Sequence, residues 1–265
     1  MVSPDAPIGV MDSGVGGIST LAALTAVLPH ENFIYFGDTA HNPYGEKSDD
    51  EVRELTANVV DYLIERGSKA IVIACNTATS AAADYLRKRY SDISILGIEP
   101  ALKPAVESYP IGTILVMATP VALRREKYQQ LEDRVAGSAT VIDSPCPGLA
   151  SCIEQEDGDN TTLKALLQEL IGGYAGEVDA VVLGCTHYIF AKELIADILG
   201  PVEFFDGSMG TARNLEKHLR EQQLLNESSE AGAIEFLTSL SDAHKYEHMK
   251  KMYEIARSFV HAQEA

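Results

Sequence analysis

Lys69-Ala-Ile-Val-Ile-Ala-Cys75-Asn76-Thr77 and Asp179-Ala-Val-Val-Leu-Gly-Cys185-Thr186-His187 are near-copies of one phrase, with the two cysteines 110 residues apart. Each begins at a charged residue, runs through small and β-branched apolar residues, and ends in a thiol followed by hydrogen-bonding side chains. An unbroken apolar run of this length reads as a short strand buried on both faces. Such strands belong to parallel sheets, in which a crossover, usually a helix, returns the chain after each strand. The phrase therefore points to an α/β fold, and its duplication to two halves built alike. If the halves face each other, two thiols address one cleft from opposite sides. That arrangement suits removal of a proton from one face of a carbon and return of a proton to the other.

The flanking segments alternate in the same way. Ile8–Met11 reads as a strand, followed by the Gly-rich turn Asp12-Ser13-Gly14-Val15-Gly16-Gly17 and a helix near Ile18–Val27. Asn32–Phe36 is the next strand. Ser48-Asp-Asp-Glu51 reads as a capping box, in which the serine accepts from a backbone N–H and the glutamate reaches back. Val52, Leu55, Val59 and Leu63 then mark one helix face, and Gly67 ends that helix. A helix through Ala81–Arg89 and a strand at Ile93–Ile98 follow the first cysteine. Thr113-Ile-Leu-Val-Met-Ala-Thr119-Pro120 restarts the series and overlays the first strand, Met117 on Met11 and Thr119 on Ser13. The expectation is two pseudo-symmetric α/β domains with mainly parallel central sheets. The first takes residues 1–98 with 208–265, because the closing helical stretches (Met209–Gln223 and Ala243–Ala262) have no copy in mid-chain. The second takes 99–207. Open parallel sheets bind ligands at the carboxyl ends of their strands, where both cysteines fall, so the active site is expected in the interdomain cleft.

Composition narrows the classes of function. The chain has 265 residues, 46% of them hydrophobic, enough for a substantial core. No run reaches the roughly 18 consecutive apolar residues of a membrane helix, and the opening Met1-Val-Ser-Pro-Asp-Ala-Pro lacks the basic and apolar regions of a signal peptide. Four cysteines in a chain of this length do not make a disulfide framework, so a reducing cytoplasm is expected. A net charge of −18 repels phosphate backbones and argues against direct nucleic-acid binding.

A weak carbon acid needs a strong base close to the carbon and donors for the charge that develops. A thiolate is a fit base, since an ordinary thiol titrates near a pH of about 8.5 and neighbouring cations or helix N-termini lower that value. Each cysteine opens what reads as a strand-to-helix turn, where free N–H groups, with Asn76, Thr77 and Thr186, can hold a carboxylate. One cysteine after an apolar strand is more often a packing residue; two in matching phrases favour function. Asp12, at the end of a strand, is placed to meet an ammonium group or relay a proton, and His187 to assist Cys185. The Gly-rich turn departs from the dinucleotide pattern, since Ser19 stands where its last glycine belongs. Cys185-Thr-His187 lacks the further ligands of a zinc site. Cys146 and Cys152, in a Pro-rich connection, are expected only to pack.

These motifs together resemble the cofactor-independent glutamate racemases of the aspartate/glutamate racemase superfamily. The matching segments are Asp12–Gly17, Gly37-Asp-Thr-Ala40 with Pro43-Tyr-Gly45, Ala74-Cys-Asn-Thr-Ala78 and Gly184-Cys-Thr-His-Tyr188, in the family's order. Pro147-Gly-Leu149, leading to Glu154, resembles the segment that supplies an acid near the second thiol. The resemblance implies that Cys75 and Cys185 are the two acid/base residues, with Asp12 supporting the first and His187 and Glu154 the second. It implies that Asp12 and Ser13 meet the amino group and that Asn76, Thr77 and Thr186 hold the α-carboxylate. Pro43, Tyr44 and Gly45 would take the distal carboxylate through backbone groups, and Thr119 would add a rim contact. It implies no cofactor, no metal, glutamate as substrate, a homodimer, and D-glutamate supply for peptidoglycan. Ala122 and Arg125 stand where the family usually has threonine and serine, and Ile189 where it commonly has proline. Rival readings are a related racemase for aspartate or a hydantoin, a non-catalytic regulator keeping the fold, a nicotinamide oxidoreductase resting on the Gly-rich turn, and a thiol–histidine hydrolase. The last leaves Cys75 and its repeated phrase without a role.

Overall fold

The computed structural model describes residues 3–155, 160–240 and 243–264. Met1 and Val2, which open the expected first domain, and Ala265, which closes it, lie outside the described residues. The elements run β1 (Ile8–Asp12), α1 (Ile18–Val27), β2 (Phe33–Gly37), α2 (Asp49–Glu65), β3 (Ala70–Ile73), α3 (Asn76–Arg89) and β4 (Ser94–Gly97). They continue with α4 (Leu102–Ser108), β5 (Thr113–Ala118), α5 (Pro120–Leu123), α6 (Glu126–Val135), β6 (Thr140–Pro145), α7 (Leu149–Glu154), α8 (Asn160–Ile171), β7 (Ala180–Leu183) and α9 (Lys192–Leu199). The series closes with β8 (Glu203–Phe205), α10 (Ser208–Glu221), β9 (Ile234–Thr238) and α11 (Ala243–Glu264). The chain divides into two compact units, Met1–Ile98 with Ser208–Ala265, and Glu99–Gly207.

Among the described residues the first unit has a five-stranded sheet in the order β4-β3-β1-β2-β9, and the second a four-stranded sheet in the order β6-β5-β7-β8. Every pairing is parallel. Leaving out β9, the two orders are one topology, β1 to β4 corresponding to β5 to β8 in chain order. The central strands β1, β3 and β7 are buried at every position, as unbroken apolar runs covered on both faces should be. Met11 lies beside Ile73 and Met117 beside Leu183. The overlays of Met117 on Met11 and of Cys185 on Cys75 use different offsets, yet they bring equivalent positions side by side. The hydrogen bonds repeat as well: Ala74 N–H donates to Met11 O and Gly184 N–H to Met117 O, both at 2.8 Å.

In each sheet the connection from the first strand goes one way and that from the third strand the other. The crevice at the carboxyl ends of β1 and β3, and of β5 and β7, is therefore the topological switch point where such sheets receive ligands. Asp12 ends β1 and Cys75 lies just beyond β3, and Thr119 and Cys185 lie just beyond β5 and β7.

The helices form as their patterns require, with one correction. Ser48 caps α2 and accepts from Glu51 N–H, but the Glu51 carboxylate pairs with Lys47 Nζ at 3.0 Å instead of reaching back. Val52, Val59 and Leu63 are buried, Leu55 partly so, and Gly67, at φ +83°, turns the chain out of the helix. α1 is buried continuously from Ile18 to Leu24, because α10 and α11 pack against it. Sequence patterning does not reveal β9, which extends the first sheet beyond β2.

An ion pair ties the returning C-terminal segment to the first sheet. Lys69 Nζ lies 2.5 Å from Glu31 Oε2, with both side chains almost fully buried. Lys69 also donates to Leu224 O at 2.8 Å, and Glu31 accepts from Asn226 N–H at 2.8 Å. Removing one member leaves the other charge buried alone, which costs about 3–5 kcal/mol. Lys69→Met is therefore expected to lower unfolding stability by about that amount in urea titration, and Lys69→Met with Glu31→Leu to recover most of it. A single variant within about 0.5 kcal/mol of the parent would show that the pair stabilises nothing.

Candidate active site

In the first unit, β1 ends on Asp12, which is fully buried. Its Oδ1 accepts from Gly14 N–H at 2.9 Å, the Asx turn that starts the Gly-rich loop. Ser13 is also buried. Gly17 brings the loop in close: a methyl there would lie 2.5 Å from Asp12 Cβ and 2.9 Å from Ala74 Cβ. Glycine is thus needed for α1 to start beside Asp12 and the residue preceding Cys75.

Cys75 is the N-cap of α3, and its sulfur accepts from Ala78 N–H at 3.4 Å. The thiol therefore lies at the start of a helix, where the partial positive charge of the helix N-terminus attracts an anion. Asn76 and Thr77, in the first turn of α3, are buried beside it. Tyr44 lies in a short 3-10 turn, Tyr44–Glu46. Its ring is buried and its hydroxyl donates to Asp38 Oδ2 at 2.6 Å. Burial first, then the Asp38 hydrogen bond and the charges of Asp38, Cys75 and Asp12, push the Tyr44 phenol well above its ordinary range, so it stays a neutral donor. Asp38 also meets His41 Nδ1 at 2.8 Å, and its own N–H donates to Asp12 O at 2.9 Å. Asp38 sits inside a matching segment, Gly37-Asp-Thr-Ala40, but the sequence reading assigns it no role. It follows β2 directly, next to Gly37, the register partner of Asp12.

The second unit repeats the frame with different chemistry. Cys185 lies two residues beyond the end of β7, but no helix starts on it. Tyr188–Ala191 form a 3-10 turn instead, and α9 begins at Lys192. This corrects the expectation of a strand-to-helix turn at both thiols. A histidine takes the place of the helix terminus: Cys185 Sγ lies 3.7 Å from His187 Nδ1, and His187 Nε2 lies 2.7 Å from Glu154 Oε2. Burial opposes charge on His187, yet its hydrogen bonds to Cys185 and Glu154, with their negative charges, outweigh it and hold the imidazole well above its usual range. As imidazolium it donates at both nitrogens. Glu154 ends α7 and is itself buried.

Thr186 is buried beside Cys185. Thr119 caps α5, its hydroxyl oxygen accepting from Ala122 N–H at 3.2 Å, with Pro120 in the first turn. Arg125 is half-buried at the start of α6, and Ile189 is buried within the 3-10 turn. Cys146 follows β6, and its N–H donates to Ala118 O at 2.9 Å. Burial pushes its thiol up to about 12, an effect the Ser144 hydrogen bond offsets in part and the charge at Cys185 adds to. It stays protonated at neutral pH and does not compete as a base. Cys152 is half-buried in α7. Among the described residues no group of three or more His, Cys, Asp or Glu is arranged to hold a metal ion, and no helix is long and apolar enough to cross a membrane.

A family model for Asp/Glu/hydantoin racemases matches residues 8–213, a span that includes Asp12, Cys75, Glu154, Cys185 and His187. The chain belongs to the Asp/Glu/hydantoin racemase family. It is thus an amino-acid racemase, an isomerase. The racemase is 47% identical over 253 residues to a glutamate racemase of Clostridium perfringens, covering 95% of this chain and 97% of that one. Its fold is similar to the glutamate racemase of Francisella tularensis solved with D-glutamate, at TM-score 0.80 and 30% identity over 94% of each chain. The glutamate racemase of Escherichia coli, solved with L-glutamate and the activator UDP-MurNAc-ala, matches at TM-score 0.80 and 26% identity, over 94% of this chain and 95% of that one.

Proposed function

We propose that the chain interconverts L- and D-glutamate by two-base proton transfer, Cys75 and Cys185 acting on opposite faces of the α-carbon. The observation that carries this reading is the paired thiols at equivalent switch points of two duplicated sheets, each beside a feature that attracts an anion. At Cys75 that is the start of α3, and at Cys185 the His187–Glu154 pair. In one direction one thiolate takes the α-proton while the other thiol delivers a proton to the far face; the roles exchange in reverse. Asp12 supports Cys75 and, with Ser13, meets the ammonium group. Asn76, Thr77 and Thr186 take the α-carboxylate, Pro43, Tyr44 and Gly45 the distal one, and Thr119 adds a rim contact. No bound cofactor enters any step.

Glutamate is favoured over aspartate or a hydantoin because the relatives similar over nearly the whole chain are glutamate racemases. The use we propose for the product is peptidoglycan synthesis, in the cytoplasm, by a homodimer. The test is circular dichroism of L-glutamate with the enzyme in deuterium oxide. Loss of optical activity with deuterium at the α-carbon is expected, and an unchanged spectrum at substrate saturation, with turnover of aspartate instead, would overturn the assignment.

A further inference from the structure

Tyr35 is fully buried in β2, yet its hydroxyl donates at 2.7 Å to the carbonyl of Gly14 in the loop after β1. The N–H of that same Gly14 donates to Asp12 Oδ1. Gly14 is thus gripped by Tyr35 through its carbonyl and holds Asp12 through its N–H. Gly37, across from Asp12 in the sheet, leaves the space in which the Gly14 carbonyl sits: a methyl there would lie 2.5 Å from that oxygen. The Tyr35 ring is braced from the far side by Phe236, at 6.2 Å between centroids, and Phe236 by Tyr253, at 5.8 Å. We propose that Tyr35 is a positioning residue for the reaction, fixing the Asp12 carboxylate through Gly14 and so tuning proton transfer at Cys75. This rests on the proposed role of Asp12 as the support of Cys75. Any buried hydroxyl takes a partner, but this one takes the residue that holds Asp12, and the hydroxyl is the one part of Tyr35 that phenylalanine removes.

Losing a positioning contact of this kind slows chemistry more than binding. Tyr35→Phe should lower kcat about tenfold with KM within about twofold. A distinctive signature is expected with α-deuterated substrates. Raising the barrier at one thiol alone makes that proton transfer more limiting. The primary isotope effect should rise for the enantiomer deprotonated by Cys75 and fall for its mirror image. Gly37→Ala, which pushes the same carbonyl from the other side while keeping the Tyr35 hydroxyl, should give the same divergence. Phe236→Leu, which disturbs only the brace, should keep the parent's isotope effects. In an Asp12→Asn background, Tyr35→Phe should cost no further activity. Isotope effects that stay put in Tyr35→Phe, or shift together for both enantiomers, overturn the proposal. Full activity in Asp12→Asn overturns instead the reading of Asp12 on which it stands.

Discussion

Alanine at either Cys75 or Cys185 is expected to lower turnover of both enantiomers at least about a thousandfold, since on the proposed mechanism each change removes a general acid/base and one half of the proton path. The loss is predicted in both directions for either variant. An enzyme in which each thiol worked alone, with water supplying or taking the second proton, would keep the surviving thiol's path and so part of its turnover in both directions. On the proposed mechanism each thiol is the acid in one direction and the base in the other. The enantiomers have equal free energy in achiral solvent, so kcat/KM is equal in the two directions for any variant, and the diagnostic lies in kcat measured separately from each side. Neither change should unfold the chain. Cys75 is a small core side chain whose sulfur accepts a long hydrogen bond, 3.4 Å from Ala78 N, and Cys185 is only partly buried. Full activity in either variant, checked by circular dichroism against the folded parent, would remove the two-thiol reading.

His187→Asn is expected to lower kcat about a hundredfold, and Glu154→Gln less, since glutamine still accepts one hydrogen bond. The pH dependence is more specific. In the folded chain the His187 imidazole is held above its ordinary value: burial works against charge, and the contacts with Cys185 and Glu154 work for it more strongly. A group whose folded pKa exceeds its unfolded one stabilises the fold fully below the unfolded value, about 6.5 for histidine, and loses that contribution as pH rises through the folded value. Stability drawn from this pair should therefore be present at acid and neutral pH and fade on the alkaline side. Glu154→Gln removes one of the groups that raise the imidazole, so the Cys185–His187 pair should lose its proton at lower pH. The alkaline limb of the kcat profile is expected to move to lower pH, and so is the alkaline loss of thermal stability. A limb that stays put or moves upward would show that Glu154 does not act through the imidazole.

The features legible in the sequence are local or repeated. The buried strands β1, β3 and β7 carry unbroken apolar runs, and the duplicated phrase marks both switch points by itself. Glu154 shares no local pattern with His187, from which it is 33 residues distant, and only the resemblance to a family pointed to it. The role of Asp38 was not legible because its partners, the Tyr44 hydroxyl and the Asp12 carbonyl, come from other segments. The Lys69–Glu31 pair was hidden for the same reason, since charged residues at strand ends normally face water. β9 has a half-exposed pattern and no copy in the other half, so neither periodicity nor duplication marked it. At Cys185 the phrase repeats, but the backbone beyond it does not. The 3-10 turn at Tyr188–Ala191 replaces a helix start, and His187 lies beside the thiol instead.

A crystal structure of the enzyme with glutamate bound, at sufficient resolution to place both sulfur atoms, tests the central claim most directly. The account predicts Cys75 Sγ and Cys185 Sγ on opposite faces of the substrate α-carbon, each about 3–3.5 Å from it, as near-attack geometry requires. Both sulfurs on one face, or either one out of reach of the carbon in the closed complex, would contradict it.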